Sequence, residues 1–491
     1  MIRLGRVAIV FAAAACVHGQ PAIDGATPVP TSPSTTWSPS SSVISAAAHD
    51  RVIPPPAATT TLGSQVNLSQ LTLGDVVDLA LRNSPATRIS YTQALAAADV
   101  YGSTQSRFFP TVGVGVGAAQ ALTLSSPGRP PVEHWQFGPS VTLSYTVLDF
   151  GGRSGSIDVA RQTAIAADLT HNSTVENTIL QVEGAAFSYL SNRSERDAQR
   201  IAVDLAKAAL DEANERHRVG LATIADVLQA QTAASEAQLQ LETLEGSVQI
   251  ARGALAVAMG LAANAPVDIP EVAAADSAHF ITQSVDTLIE LAVRNRPELA
   301  TVRAQSAAAS SQIRVARSGY MPSLTFGGTG GNNASDISTF AGKTYSLNVG
   351  VQMPVFTGFS NQYDIASANE QYRSALARAE DTKQQIIQQV FTAYYTLRTS
   401  TDRVRTSADL LASATESETV ARERYREGVG TIVDLLVAQS ALATARAQSV
   451  DARWQWRTSL AQLAHDIGVL NARGDTSFAP LTPVPDVKPG R

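Results

Sequence analysis

Side chains able to act on a substrate are sparse in this 491-residue chain. The seven histidines stand at 18, 49, 134, 171, 217, 279 and 465, with no HExxH and no pair at ligand spacing. The single cysteine, Cys16, excludes an internal disulfide and a thiolate zinc site. Gly113, Gly115 and Gly117 have the spacing of a phosphate loop, but they lie inside an alternating apolar run rather than between a strand and a helix. The glycines from Gly327 to Gly331 share that flaw. Serines abound without a histidine in a comparable repeat position. No catalytic residue, cofactor or metal site is expected, so the chain reads as a non-enzyme. With 37 basic against 43 acidic side chains and a net charge of −6, no basic face is available for nucleic acid.

What the sequence does contain is an internal repeat. Leu81-Arg82-Asn83-Ser84-Pro85 returns as Val293-Arg294-Asn295-Arg296-Pro297, 212 residues later, and Phe109-Pro110 returns as Met321-Pro322 at the same offset. Arg218-Val219-Gly220-Leu221-Ala222-Thr223-Ile224-Ala225-Asp226 matches Arg426-Glu427-Gly428-Val429-Gly430-Thr431-Ile432-Val433-Asp434 at an offset of 208. A period above 200 residues is too long for a solenoid unit and marks a duplicated half.

Each half is expected to hold the same elements. A short helix stops at the Asn-x-Pro, and the proline opens the next helix. That helix ends before Pro110 or Pro322. Two strands follow in each half, over 110–149 and 322–356, with 125–134 and 332–342 read as surface loops. Val141, Leu143, Tyr145 and Val147 alternate with Thr142, Ser144 and Thr146, and Tyr345, Leu347, Val349 and Val351 alternate with Ser346, Asn348 and Gly350. Period two with one apolar face is a half-buried strand. A proline-free stretch of about 67 residues then runs to Val219, or roughly 100 Å of helix. Gly220 is a stop signal and Thr223 a cap for a second helix reaching Gly260. Copy two repeats this hairpin over 360–467. The seam residues of these helices, among them Val227, Leu241, Val248 and Leu255, alternate three and four apart.

The resulting map is a signal peptide (1–19), a flexible Pro/Ser/Thr-rich tether (20–66), a first repeat (67–270, with helical hairpin 153–260), a second repeat (271–470) and a C-terminal tail (471–491). Arg3 and Arg6 precede an apolar run too short to span a bilayer. Cys16 follows Ala13-Ala14-Ala15 and is the candidate lipidation site, as a palmitate-bearing lipoprotein. Ordinary cleavage near Gly19 would instead discard it. Four strands of about ten residues cannot close a membrane barrel, whose smallest form has eight. An open sheet in lipid would leave unpaired edges. The strands are therefore pooled between chains, eight from two or twelve from three, or they lie outside a membrane.

The duplicated halves, the two Asn-x-Pro helix starts, Phe109-Pro110 and Met321-Pro322, the Leu148-Asp149-Phe150-Gly151-Gly152 strand exit and the paired Thr-Ile-x-Asp turns resemble the TolC-like outer-membrane efflux family. The likeness spans roughly residues 68 to 470. It implies a fold that is mainly α with membrane β: a homotrimer whose twelve-stranded β-barrel continues into a long α-helical periplasmic barrel. It also implies an outer-membrane exit duct, passive and coupled through a periplasmic adaptor (membrane fusion) protein to an inner-membrane transporter, for efflux or type I secretion. By the same likeness, Asp434 lines a periplasmic gate, with Asp226 on the outer helix pair reachable from Tyr425. The turns Val219-Gly220-Leu221 and Gly428-Val429-Gly430 would meet the adaptor. Two departures stand out, Val437 in place of a second acid and Gly430 in place of an arginine, so the gate is expected to be braced through Arg426 or Arg218. Trp135 is a candidate for an aromatic belt in the outer-membrane lipid, with core packing as the other reading. The competing reading of the whole is a non-conducting structural coiled-coil protein of the envelope.

Overall fold

The computed structural model describes residues 32–37, 68, 70–123, 130–270 and 283–470. The signal segment, Cys16 and the tail lie outside the described residues. The chain opens with helices α1 (Leu73–Asn83) and α2 (Pro85–Gln105), strands β1 (Thr111–Thr123) and β2 (Val132–Leu148), and helices α3 (Gly152–Arg218) and α4 (Ile224–Ala258). It continues with α5 (Val285–Asn295), α6 (Pro297–Ser318), β3 (Ser323–Ser335), β4 (Gly342–Gln352), α7 (Ser360–Arg426) and α8 (Ile432–Asp466). No helix among the described residues is long and apolar enough to cross a membrane.

Local chemistry fixes the helix ends. Thr72 caps α1 in a reciprocal box with Asp75, and Ser84 caps α2 with Pro85 in its first turn. α3 and α7 each run 67 residues, about 100 Å at the helical rise. α3 is flanked by α2 and α4 on one side and by α6 and α8 on the other, while α7 packs on α6 and α8. The helices thus form a long ribbon with α2 and α4 at one margin and α7 at the other. Seam positions Val227, Leu241, Val248, Ala251 and Leu255 of α4, and Ile432, Leu435, Leu442, Ala445 and Leu463 of α8, are buried. Ile224, also a seam position by its spacing and the first residue of α4, is exposed, whereas its copy Ile432 at the start of α8 is buried.

The four strands form one antiparallel sheet in chain order, β1-β2-β3-β4, which leaves β1 and β4 as unpaired edges. The sequence expectation placed loops over 125–134 and 332–342. Strand pairing instead claims 132–134 and 332–335, because Thr123↔Val132 and Gln136↔Ser335 extend the ladders beyond the turn-forming residues.

The tether is also not uniformly loose. Residues 32–37 seat against the first third of α3, where the Asn172 side chain accepts from the Trp37 backbone N–H and donates to its carbonyl. His171 Nε2 lies 3.0 Å from the Thr35 carbonyl, and Trp37 is buried. An amide side chain that satisfies both backbone groups of one residue holds a segment whose composition alone gives it no core.

Two glycines tie the short helices to the hairpins. Gly260 ends α4 at φ +72°, and a Cβ there would lie 2.8 Å from the Cβ of Asn83. Gly468 ends α8 at φ +70°, and its added Cβ would meet Asn295 at 3.1 Å. The Asn-x-Pro breaks and the distant glycines are therefore parts of single contacts. Gly260→Ala and Gly468→Ala should each destabilise by about 1–3 kcal/mol, from backbone strain plus the clash. Thermal melts check this, with Gly184→Ala, whose methyl would meet open space, expected to be neutral or stabilising.

Candidate functional site

The hairpin turns at the far end of the ribbon are built alike. At the first, Gly220 adopts φ +80°, Leu221 N donates to the Arg216 carbonyl at 2.7 Å and Gly220 N to the His217 carbonyl at 3.0 Å. These bonds satisfy carbonyls that the end of α3 would otherwise leave open. At the second, Gly428 adopts φ +75°, and Val429 and Gly430 both donate to the Arg424 carbonyl. A Cβ at Gly430 would sit 3.1 Å from the Cβ of Arg424, so a side chain here would press on the last turn of α7.

Thr223 and Thr431 then cap α4 and α8. Thr431 Oγ1 accepts from Asp434 N at 3.2 Å, while Asp434 Oδ2 accepts from Thr431 N at 3.2 Å and Oγ1 at 2.8 Å. Thr223 and Asp226 make the same box. The Thr431 hydrogen bonds and the nearby Arg424 charge hold the fully exposed Asp434 carboxyl below the usual carboxylate range. It stays ionised at neutral pH, and the cap weakens only as pH falls through that lowered value. The same box recurs at Thr72 and Asp75, far from the tip, so capping accounts for the placement of these acids.

The brace between the two turns is neither Arg218 nor Arg426. Arg218 pairs with Glu215 and Arg426 with Glu423, each on its own helix and in solvent. Arg216 does the bridging. Its Nη1 donates to the carbonyls of Tyr425 (2.7 Å) and Arg426 (3.2 Å), and its guanidinium lies 4.8 Å from the centre of the Tyr425 ring. A cation placed on the last carbonyls of α7 answers both their open lone pairs and the negative end of the helix dipole. Tyr425 is buried among Ala209, Ala213, Val227, Ile432 and Leu435. Its hydroxyl has no hydrogen-bond partner among the described residues and does not reach Asp226 by one. Around this clamp Val219, Leu221, Leu228, Val429, Val433 and Val437 are exposed.

At the other end, the sheet has two chemically distinct faces. Val112, Val114, Val116, Phe137, Val141, Tyr345, Leu347, Val349 and Val351 lie on one face and are exposed. The register puts Gly113, Ser140, Thr142, Ser144, Thr325, Thr329, Ser346 and Asn348 on the other. Trp135 is half-exposed on the apolar face near the end remote from the helices. A second aromatic set, Phe109, Phe150, Phe356, Phe359 and Tyr363, is exposed where the strands meet the helices. Phe150 (φ 48°) and Phe359 (φ 67°) turn the chain from strand to helix in the left-handed region, a strained geometry for bulky residues. Nothing in the alternation singles out this set.

A third cluster is also silent in the sequence. Arg296, buried at the start of α6, lies 2.9 Å from Glu298, 3.3 Å from Asp466 and 3.0 Å from Gln389. Burial, with Glu298 beside it and against the pull of Arg296, pushes Glu176 up to about 8. Glu176 therefore keeps its proton through neutral pH and adds no third carboxylate charge beside Glu298 and Asp466, and the cluster joins α3, α6, α7 and α8. No group of side chains suited to a metal ion occurs among the described residues.

A family model described as outer membrane efflux protein matches residues 76–261 and 288–469. Protein CyaE of Bordetella pertussis is 27% identical over 417 residues, covering 83% of this chain and 87% of its own. Pyoverdine export outer membrane protein OpmQ of Pseudomonas aeruginosa is 29% identical over 357 residues, 69% of this chain and 70% of its own. Among solved structures, the outer membrane protein VceC of Vibrio cholerae has the same fold. It superposes with a TM-score of 0.72 at 18% identity over 81% of this chain and 96% of that one.

Arg216→Ala should cost the tip about 1–3 kcal/mol, the sum expected for a cation–π contact and charged hydrogen bonds. Amide hydrogen exchange around 424–434 is then expected to quicken by about tenfold or more, with the sheet unchanged.

Proposed function

This chain belongs to the outer membrane efflux protein family, and we propose that three copies of it close into one passive export duct. The sheet carries this reading. It has one apolar face, one polar face and two bare edges, and antiparallel order lets β4 of one copy accept β1 of the next. Three copies supply twelve strands, within the range of membrane barrels, with the apolar face to lipid and the Ser/Thr/Gly face to the lumen. The helical ribbon has matching margins. α4 exposes Leu239, Ile250 and Val257 and α7 exposes Phe391, Tyr395 and Leu410, apolar surface suited to meeting a neighbouring copy across the periplasm.

In this assembly the hairpin turns form the periplasmic tip. Three copies of Asp434 make a ring of ionised carboxylates, which favours cations and binds divalent ions. Asp226 caps the outer pair, and Tyr425 is the ring on which Arg216 rests, so Arg216 rather than Arg218 or Arg426 holds the gate shut. The exposed residues Val219, Leu221 and Val429, turned by Gly220, Gly428 and Gly430, present an apolar rim to the adaptor hairpin. The adaptor links the duct to an inner-membrane transporter, which supplies the energy. Names among the relatives include pyoverdine export and toluene efflux, and small organic cargo of that kind suits a duct whose lumen is lined by hydroxyl groups.

Reconstitution in planar bilayers tests the reading. Purified oligomers are expected to conduct with a cation preference and to be blocked by divalent cations. Asp434→Ala should weaken that block by about tenfold, as loss of a charged ring does. An oligomer that never conducts, even with Arg216 and Asp434 both replaced, would favour the structural coiled-coil reading instead.

A further inference from the structure

At the end of the sheet remote from the helices, the β3–β4 connection does not project away from the strands. Residues 336–341 fold back onto β2. Asp336 Oδ1 accepts from the Trp135 backbone N–H at 2.8 Å and from the Ser335 hydroxyl at 3.3 Å. A short 3-10 turn, Ser338–Phe340, follows, closed by Phe340 N on the Ile337 carbonyl at 2.9 Å. The turn places the Phe340 ring flat on the His134 imidazole, with centres 3.9 Å apart and planes inclined by 12°.

The register says which face this is. His134 lies opposite Ala121 on β1, and Gln136, Gly138, Ser140 and Thr142 follow it on the same side of β2. That is the polar face, the one turned to the lumen when the apolar face meets lipid. Gln136 Nε2 lies 2.6 Å from His134 Nε2, and Asn333 Nδ2 lies 3.5 Å from Gln136 Oε1, so these side chains share the lumenal surface. His134 is 1% exposed, although the strand positions around it are mostly open. Its cover is the returning loop.

We propose that residues 336–341 form an inward-folded lid at the outer mouth of the barrel, latched by Phe340 on His134, and that this lid sets the size of cargo that can leave. The inference rests on the trimeric duct. Three lids then narrow one exit. Among the described strand residues, the lumenal face carries no Asp, Glu, Lys or Arg, and His134 is its one titratable side chain. The wall of the barrel therefore sorts little by charge, and the mouth is left as the place where bulk is judged.

The latch is built to lift. The Gln136 amide donates to His134 Nε2, which puts the imidazole proton on Nδ1, and Nδ1 is buried without a partner. Raising the lid lets water reach that N–H, so opening recovers a hydrogen bond that closure forgoes. The stack and the Asp336 contact hold the lid down, and the orphaned donor keeps that hold weak.

Single-channel conductance tests this in trimers whose tip is opened by Arg216→Ala with Asp434→Ala. Phe340→Ala and His134→Ala should each raise the open-tip conductance about twofold, since both widen the same constriction. The double variant should rise no further, because the two residues form one contact. His134→Phe, which keeps a ring under Phe340, should stay at or below the parent. If Phe340→Ala fails to assemble, the contrast between His134→Ala and His134→Phe decides. A conducting parent whose conductance none of these changes would overturn the lid. A tip-open parent that does not conduct would overturn the duct itself.

Discussion

Backbone hydrogen bonding at the two margins of the sheet governs the rest of the molecule. β1 and β4 are 13 and 11 residues long, and each presents a row of N–H and C=O groups with no partner in the chain. In hydrocarbon each such group costs several kcal/mol, roughly the whole stability of a domain for only a few of them. The apolar face of the sheet nevertheless suits lipid. In the proposed assembly both demands are met, because a further copy supplies the missing strand at each edge.

The helical part follows from the same closure. The sheet fixes where α2, α3, α6 and α7 leave the membrane, and the helices continue as a ribbon of nearly constant width for about 100 Å. Alanine-rich seams let neighbours approach closely but bury little area per residue, so the ribbon needs specific fastenings along its length. Three serve this purpose: the glycine contacts with Asn83 and Asn295, the buried Arg296 cluster, and the Arg216 clamp at the tip. The clamp sits at the tip, where Tyr425 is buried while Val219, Leu221 and Val429 around it are exposed.

Much of this architecture is legible in the sequence because it rests on local chemistry. Gly220 with Thr223 and Gly428 with Thr431 mark the turns, since only a left-handed residue followed by a hydroxyl cap reverses a helix so tightly. The alternation from Val141 to Val147 gives β2 its faces. The fastenings were not legible, for a physical reason. Arg216, Arg218 and Arg426 are alike in type and spacing, and only the phase of α3 against α7 brings the first onto open carbonyls. Trp37 lies in a segment with no periodic pattern, and its anchor is one amide more than a hundred residues away. Phe340 sits among loop formers, and its partner is on another strand. Tyr425 was legible as a tip residue, and the sequence does not show that its ring meets the Arg216 guanidinium.

Native mass spectrometry of the detergent-extracted protein weighs the closed particle directly. A mass of three chains, kept when the strand edges are intact and lost when proline is placed in β1 and β4, is what edge pairing requires. A single chain that stays folded and stable in detergent, with its β1 and β4 amides exchanging as fast as free edges, would contradict it.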